Sequence, residues 1–156
     1  MAAEVSDIHP VLRRAGASPA ALDLLAQAHT GLREATALEP PHERYAAAHL
    51  AALRTAAAVL AVRGRPETTE RHRRRIRSAW AVLPEVAPEL AEWSALFAAG
   101  ASRRARAEAG IAGAATAREA DDLVRACAMF LRLVERMLLL GPAVGGDLPA
   151  APVPAG

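Results

Sequence analysis

The segment from Glu43 to Arg63, ERYAAAHLAALRTAAAVLAVR, constrains the fold more than any other part of this chain. Its residues favour helix, and apolar side chains recur on nearly every side of the predicted helix. Such a helix belongs in the middle of a bundle, where polar side chains are costly unless they are paired. The residues that interrupt the apolar pattern are Arg44, Tyr45, His49 and Arg54. The segment therefore predicts a central helix whose polar residues are either paired interior groups or functional groups.

Start and stop signals mark the first two helices. Ser18 followed by Pro19 is typical of an N-cap and a first helical position. The pair Pro40-Pro41 ends that helix and opens the central one, which we expect to run to Gly64.

The middle of the chain predicts two further apolar stripes. One helix is expected to start near Thr68 and to carry Trp80 on its inner face, and Pro84 and Pro88 are expected to kink or break it. A second stripe, containing Trp93 and Phe97, continues to Gly100 and is followed by a polar extension to Gly110. Trp80, Trp93 and Phe97 are therefore expected to be core residues rather than platforms for stacked bases.

The last helix has the clearest local signals. Thr116 and Glu119 form the pattern of a capping box, and Gly141-Pro142 marks the end of the helix. Asp121 and Arg125 stand four residues apart and predict a favourable surface pair.

These elements predict an all-α fold, an antiparallel bundle of four to five helices. We expect residues 1–17 to be a flexible N-terminal arm, residues 18–140 to form the bundle domain and residues 141–156 to be a disordered tail rich in Ala, Pro and Gly.

Composition excludes several classes of function. All 19 basic residues are arginine, against 17 acidic residues, so the net charge of +2 supports no global argument for nucleic-acid binding. Cys127 is the single cysteine, which excludes an internal disulfide and a thiolate metal site, and its place on an apolar face suggests a buried hydrophobe. We expect neither a metal nor a cofactor.

The sequence also bears on localisation. The first residues lack the basic and apolar regions of a secretory signal, and the central helix carries His49 and Arg54 in mid-segment, which argues against a membrane span. We expect a cytoplasmic protein that has no contact with a membrane.

Arg44 and His49 are the candidate catalytic residues. An Arg could neutralise a phosphodiester while a His moves a proton, but the two side chains stand about 140° apart around the helix. The alternative is a structural role, in which Tyr45 and His49 face the interior or a cleft between subunits and His49 bonds to a neighbouring helix.

A local basic cluster is the candidate nucleic-acid surface. It follows Arg63 and Arg65, and it is expected on one helix opposite Trp80; its members are Arg71, Arg73, Arg74, Arg75 and Arg77. Counterion release from a phosphate backbone is the best-founded use of such a patch, and a solvated helix face is the alternative. Arg103, Arg104 and Arg106 could extend the surface.

Three strings resemble a known family: ERYAAAHLAALR, SAWAVLPEVAPELAEWSALFAAGASRRARAEAG and AREADDLVRACAMFL. They are similar to the actinobacterial SAV-type branch of the HEPN superfamily over about residues 18–140. The resemblance implies a small helical bundle, commonly a homodimer. Many HEPN proteins are metal-independent ribonucleases of toxin–antitoxin and related systems, and others are non-catalytic modules that bind RNA or nucleotides.

The resemblance also implies what the site could do. The ribonuclease signature of the superfamily is an Arg, four to six residues, then a His facing a cleft between protomers, and Arg44 and His49 satisfy the spacing. That signature usually opens a late helix, whereas the last helix here contains no His. We therefore expect a module that binds RNA or nucleotides without catalysis. The alternatives are an endoribonuclease that uses Arg44 and His49 across a dimer cleft, and a structural module that docks on another protein.

Overall fold

The computed structural model describes residues 18–64, 77–140 and 150–153, and every regular element in these ranges is helical. An all-α bundle is confirmed. Its helices are α1 (Pro19–Ala37), α2 (Pro41–Arg63), α3 (Ala79–Val86), a 3-10 turn (Pro88–Leu90), α4 (Ala91–Ala99), α5 (Ala101–Glu108) and α6 (Ala117–Leu140).

Helix α2 is the centre of the bundle, as its apolar pattern predicts. It packs against α1, α3, α5 and α6. Most of its buried side chains are alanines, which let neighbouring helices approach closely. By length and composition α2 could cross a membrane, but half of its most apolar window is buried inside the bundle, and the core helix of a globular domain passes the same test.

The three long helices do not all alternate in direction. The side chain of Arg44, near the start of α2, reaches both Leu38, just after α1, and Asp121, near the start of α6. One turn further along, the Cys127 thiol donates to the Ala48 carbonyl. Helix α1 is therefore antiparallel to α2 and α6, whereas α2 and α6 are parallel. The short helices α3 to α5 return the chain from the end of α2 to the start of α6.

Local capping explains where the long helices begin. The Ser18 hydroxyl accepts a hydrogen bond from the Ala21 N–H at 3.1 Å, so it caps α1 as predicted. At α6 the Glu119 N–H donates to the Thr116 hydroxyl at 3.0 Å, and the Thr116 N–H donates to the Glu119 carboxylate at 2.9 Å. The predicted capping box is confirmed.

Helix α3 begins later than predicted and continues through Pro84. Ser78 has extended backbone angles and caps α3 through the Ala81 N–H, so no continuous helix runs from Thr68 through Trp80. Pro84 does not end α3, which continues to Val86. A proline inside a helix leaves the carbonyl four residues earlier without its usual donor, and here the hydroxyl of Ser94 on α4 donates to that Trp80 carbonyl.

The five aromatic residues of the chain form one buried cluster that joins four helices and includes His49. The ring centroids of Trp80 and Phe97 lie 5.1 Å apart, and those of Trp93 and Phe130 lie 5.5 Å apart. These distances are typical of favourable aromatic pairs. Trp80, Trp93 and Phe97 are thus core residues, as predicted.

The predicted arm and most of the predicted tail lie outside the described residues. Residues 150–153 are described, and the half-buried Ala151 packs against the core. This short stretch returns to the bundle, whereas the composition of the tail predicts disorder from residue 141 onwards. The apolar side chain of Ala151 gains by covering core residues that water would otherwise reach.

Candidate functional site

His49 is a fully enclosed side chain with one hydrogen bond. It is 1% exposed, and its Nε2–H donates to the Phe97 carbonyl at 2.9 Å. Phe97 lies in the last turn of α4, and its carbonyl accepts hydrogen bonds both from the Gly100 N–H, at 3.1 Å, and from His49. Nδ1 has no hydrogen-bond partner among the described residues. The imidazole is therefore held as the neutral tautomer with its proton on Nε2.

Burial also determines the charge of this imidazole. Loss of hydration lowers the pKa of His49, and the positive charge of Arg104 lowers it further, although the hydrogen bond to Phe97 opposes both effects. A lowered pKa keeps the ring neutral at physiological pH. A general base must also reach its substrate, and the only free lone pair of His49 points into the protein.

Helix α5 and Gly100 cover His49 from the outside. The Tyr45 ring is 4% exposed and stacks on His49 at a centroid distance of 6.5 Å. The guanidinium of Arg103 lies 5.8 Å above the Tyr45 ring and pairs with Glu119 at 2.8 Å. A Cβ on Gly100 would stand 2.5 Å from the Tyr45 hydroxyl oxygen, so a larger residue here would force the Tyr45 side chain to shift. Together these contacts close the site to solvent.

Of the two placements expected for Tyr45 and His49, the interior of the bundle and a cleft or dimer-facing surface, the structure shows the interior. Both side chains lie in the interior of the bundle, and each is less than 5% exposed. The physical reason is that the short helices α4 and α5 fold back over the middle of α2, and the sequence pattern does not reveal this coverage. Two shallow surface grooves, one beside Arg44 and Asp121 and the other beside Gly31 and Arg54, include neither side chain.

The hydrogen-bond partners of Arg44 all belong to the protein itself: two backbone carbonyls and one carboxylate. Its Nε donates to the Leu38 carbonyl at 3.0 Å and one terminal nitrogen donates to the Glu39 carbonyl at 2.9 Å, so it satisfies carbonyls just beyond the end of α1. The other terminal nitrogen pairs with Asp121 at 2.8 Å. The predicted Asp121–Arg125 pair is wrong, because Asp121 binds Arg44 and Arg125 pairs with Asp122 instead.

Arg44 and His49 point to different parts of the bundle. Arg44 joins the end of α1 to the start of α6, and His49 points toward α4 and the aromatic cluster. This divergence agrees with their separation around α2. The described structure does not bring the two residues of the candidate signature to a common phosphate position.

The predicted basic cluster is described only at its end. Arg71, Arg73, Arg74 and Arg75 lie outside the described residues. Arg77 stands just before α3 and pairs with Glu85 at 2.5 Å. Since α3 begins at Ala79, Arg77 does not share a helix with Trp80, which corrects that part of the prediction.

The second basic group, on α5, is partly committed to internal pairs. Arg103 pairs with Glu119, and Arg104 pairs with Glu108 at 2.7 Å. Arg106 is exposed and has no ion pair among the described residues. Arg106 is thus the member of this group that is free to contact a ligand.

Cys127 is a packed interior thiol. It is 1% exposed, and burial raises the pKa of its thiol far above the ordinary value. The sulfur donates to a carbonyl of α2 at 3.1 Å. Among the described residues, no group of three or more His, Cys, Asp or Glu side chains is arranged to hold a metal ion.

Comparison with family models identifies the fold. Residues 35–135 match the model of the SAV_6107-like HEPN family, which covers α2 to most of α6 and the whole environment of His49. The chain belongs to this HEPN family. Comparison with curated proteins and with solved structures finds no match. The HEPN assignment is compatible with a helical, nucleotide-related module.

Within this HEPN bundle, three features of the His49 environment were not evident from the sequence. They are the acceptor carbonyl of Phe97, the contact at Gly100 and the Arg103 clasp over Tyr45. The position of Gly100 between an apolar stripe and a polar stretch was a visible signal, but it indicated a helix boundary rather than a close approach to Tyr45.

Proposed function

We propose that this chain is a non-cleaving HEPN module that associates with RNA or nucleotides, as a cytoplasmic homodimer. The observation that carries the proposal is the burial of His49 with its Nε2–H committed to the Phe97 carbonyl. Cleavage by an Arg/His pair requires an imidazole that exchanges a proton with the reacting ribose or phosphate. A neutral, enclosed imidazole is unsuited to that role.

The engagement of Arg44 supports the same conclusion. Its three hydrogen bonds go to two backbone carbonyls and to Asp121, and only 16% of its side chain is exposed. To clamp a phosphate, this guanidinium would have to release acceptors that would then lose their partners. Arg44 is better suited to hold α1, α2 and α6 together.

Association with RNA would depend on phosphate contacts. The five aromatic residues are buried, so the described surface offers no aromatic ring for base stacking. The arginine-rich stretch from Arg63 to Arg77 and the free Arg106 provide local positive charge on a chain of small net charge. Binding that rests on phosphates falls steeply with salt and shows little preference for sequence.

Two measurements on the purified full chain test this function. Incubation with labelled single-stranded RNA in EDTA is expected to leave the RNA intact. Anisotropy titrations at about 50 mM and about 200 mM salt are expected to show binding that weakens with salt, and Arg73→Gln/Arg74→Gln is expected to weaken it about tenfold or more. Arg77 is kept, because it pairs with Glu85.

The outcomes separate the three functions. Cleavage that disappears in a folded His49→Gln variant would establish the endoribonuclease instead. Absence of both cleavage and salt-dependent binding of RNA or nucleotides would contradict the proposal and favour a module that binds only protein. Light scattering tests the homodimer, and a monomeric mass at high protein concentration would contradict that part.

A further inference from the structure

Helix α6 contains equal numbers of arginines and acidic residues, but most of its acidic side chains lie on a different side of the helix from its arginines. It carries four arginines and four acidic residues. Three of the acids turn sideways to neighbouring helices, where Glu119 meets Arg103, Asp121 meets Arg44 and Glu135 meets His29, each at 2.8 Å. These three acidic residues therefore pair with residues on other helices of the same chain, and the arginines of α6 are left on the outer face.

The exposed arginines of α6 lie along one line. Positions 118, 125 and 132 follow a seven-residue spacing, and positions 122, 129 and 136 lie between and beyond them on the same face. We call this set the α6 stripe; it consists of Arg118, Asp122, Arg125, Met129, Arg132 and Arg136. At the rise of an α-helix it is ~27 Å long.

Three cations of the α6 stripe are free. Arg125 pairs with Asp122, but Arg118, Arg132 and Arg136 are exposed and have no ion pair among the described residues. Met129, near the middle of the stripe, is 38% exposed and is one of the few large apolar side chains that the described surface presents. Arg and Met are both enriched where proteins meet other proteins.

The composition of the α6 stripe favours an acidic protein over a nucleic acid. Asp122 lies within the line and would repel a phosphate backbone, whereas a protein helix has room for a small or basic residue there. A straight helix face also fits poorly into the deep, narrow major groove of A-form RNA. The alternating spacing of three and four residues is the one at which α-helices pack side by side.

We propose that the α6 stripe docks an acidic α-helix of a partner protein. Acidic side chains at seven-residue spacing would lie opposite Arg118, Arg125 and Arg132, and an apolar side chain would cover Met129. A second copy of the same face is disfavoured, because it would place arginines against arginines. The residues of this site differ from those of the proposed RNA contacts, and the proposal does not depend on the proposed function.

The nature of the contacts determines how binding should behave. Each exposed ion pair contributes modestly, so affinity requires several arginines at once and weakens with salt. Replacing Arg132 and Arg136 together should therefore weaken binding by about tenfold. Neither side chain has a partner in the described structure, so the double variant is expected to fold like the wild type.

A designed helical peptide provides the test. The labelled probe carries Glu at every seventh position and Leu between them, and its control carries Gln in place of Glu. Titration against the full chain at about 50 mM salt is expected to show binding of the Glu peptide alone. Arg132→Gln/Arg136→Gln and Met129→Ser should each weaken it, whereas Arg73→Gln/Arg74→Gln should leave it unchanged.

Three results would overturn the proposal. The first is failure of the Glu peptide to bind, and the second is equal binding to the wild type and to Arg132→Gln/Arg136→Gln. The third is loss of RNA binding rather than peptide binding in that variant, which would assign the stripe to nucleic acid. Because the Arg73/Arg74 variant tests RNA association separately, failure of either proposal is distinguishable from failure of the other.

Discussion

At the scale of single residues, Arg44 and His49, the two residues of the candidate signature, both make structural contacts. His49 completes an aromatic cluster and donates to the Phe97 carbonyl, which also accepts from the Gly100 N–H, and Arg44 binds carbonyls just beyond the end of α1. The angle between the two residues around α2 correctly predicted that their side chains point to different parts of the bundle. What the sequence could not reveal is which carbonyl and which carboxylate would be near, because both partners come from segments about 50 to 80 residues away.

Protonation of His49 is expected to destabilise the fold. Its pKa is lowered in the folded state, so below the unfolded value of 6.5 the unfolded chain binds a proton that the folded chain resists. Stability conferred by His49 is present above pH 6.5 and is lost as the pH falls towards the folded pKa, by up to ~1.4 kcal/mol per pH unit. Urea unfolding at pH 7.5 and pH 5.5 measures this loss of stability.

The matched control for this titration is His49→Gln, which retains an N–H donor for Phe97 but does not titrate. Its free energy of unfolding is expected to depend less on pH over the same interval. An equal pH dependence of the two proteins would mean that His49 is not the responsible group.

The close approach at Gly100 predicts a specific steric coupling. Gly100→Ala places a Cβ against the Tyr45 hydroxyl and is expected to cost about 1–3 kcal/mol of stability. Combining it with Tyr45→Phe removes the clashing oxygen, so the double variant should recover part of the loss. Additive effects in a double-mutant cycle would show that the two groups are not in contact.

At the scale of helices, sequence signals predicted boundaries well where a cap or a proline acts locally. Ser18, Pro41, Gly64 and Thr116 mark the observed ends of α1, α2 and α6. At α3 the local pattern left open whether Pro84 kinks or ends the helix; the helix continues, and the hydroxyl of Ser94 on α4 supplies a donor for the carbonyl that Pro84 leaves unpaired. Local pattern does not report such a distant donor.

The Arg44 clamp predicts unequal effects of its two partners. Arg44→Gln should cost about 2 kcal/mol or more, because backbone carbonyls beyond α1 lose a charged donor. Asp121→Asn should cost about 0–1 kcal/mol, since Asp121 is half exposed. Urea denaturation of the two variants compares them, and a larger loss for Asp121→Asn would contradict the clamp.

The capping box at the start of α6 is expected to make a measurable contribution to the free energy of unfolding. Thr116→Ala removes the oxygen that accepts the Glu119 N–H and is expected to lower the free energy of unfolding by about 1 kcal/mol. Thr30→Ala, on the exposed face of α1, is the matched control and should change it by less than about 0.5 kcal/mol. Equal losses would show that capping is not the cause.

At the scale of the whole molecule, the bundle buries what resembles a catalytic pair and displays charge elsewhere. Small alanines let α1 and α6 pack closely on α2, while α4 and α5 fold over His49. The sequence predicted the all-α bundle and its central helix from apolar patterning together with cap, proline and glycine signals. Coverage by short helices and the sideways pairing of the α6 acids depend on three-dimensional packing, so they could not be predicted.

The protonation state of His49 tests the central claim most directly, because a ribonuclease needs an accessible imidazole at this position. Nitrogen NMR of the imidazole, assigned with His49→Gln, can follow the ring from pH 7.5 to pH 6.0 with and without RNA. We predict a neutral ring with its proton on Nε2 at pH 7.5, a titration shifted below the ordinary value, and no change on addition of RNA. Titration at the ordinary value near 6.5, together with a shift on RNA binding, would contradict the account.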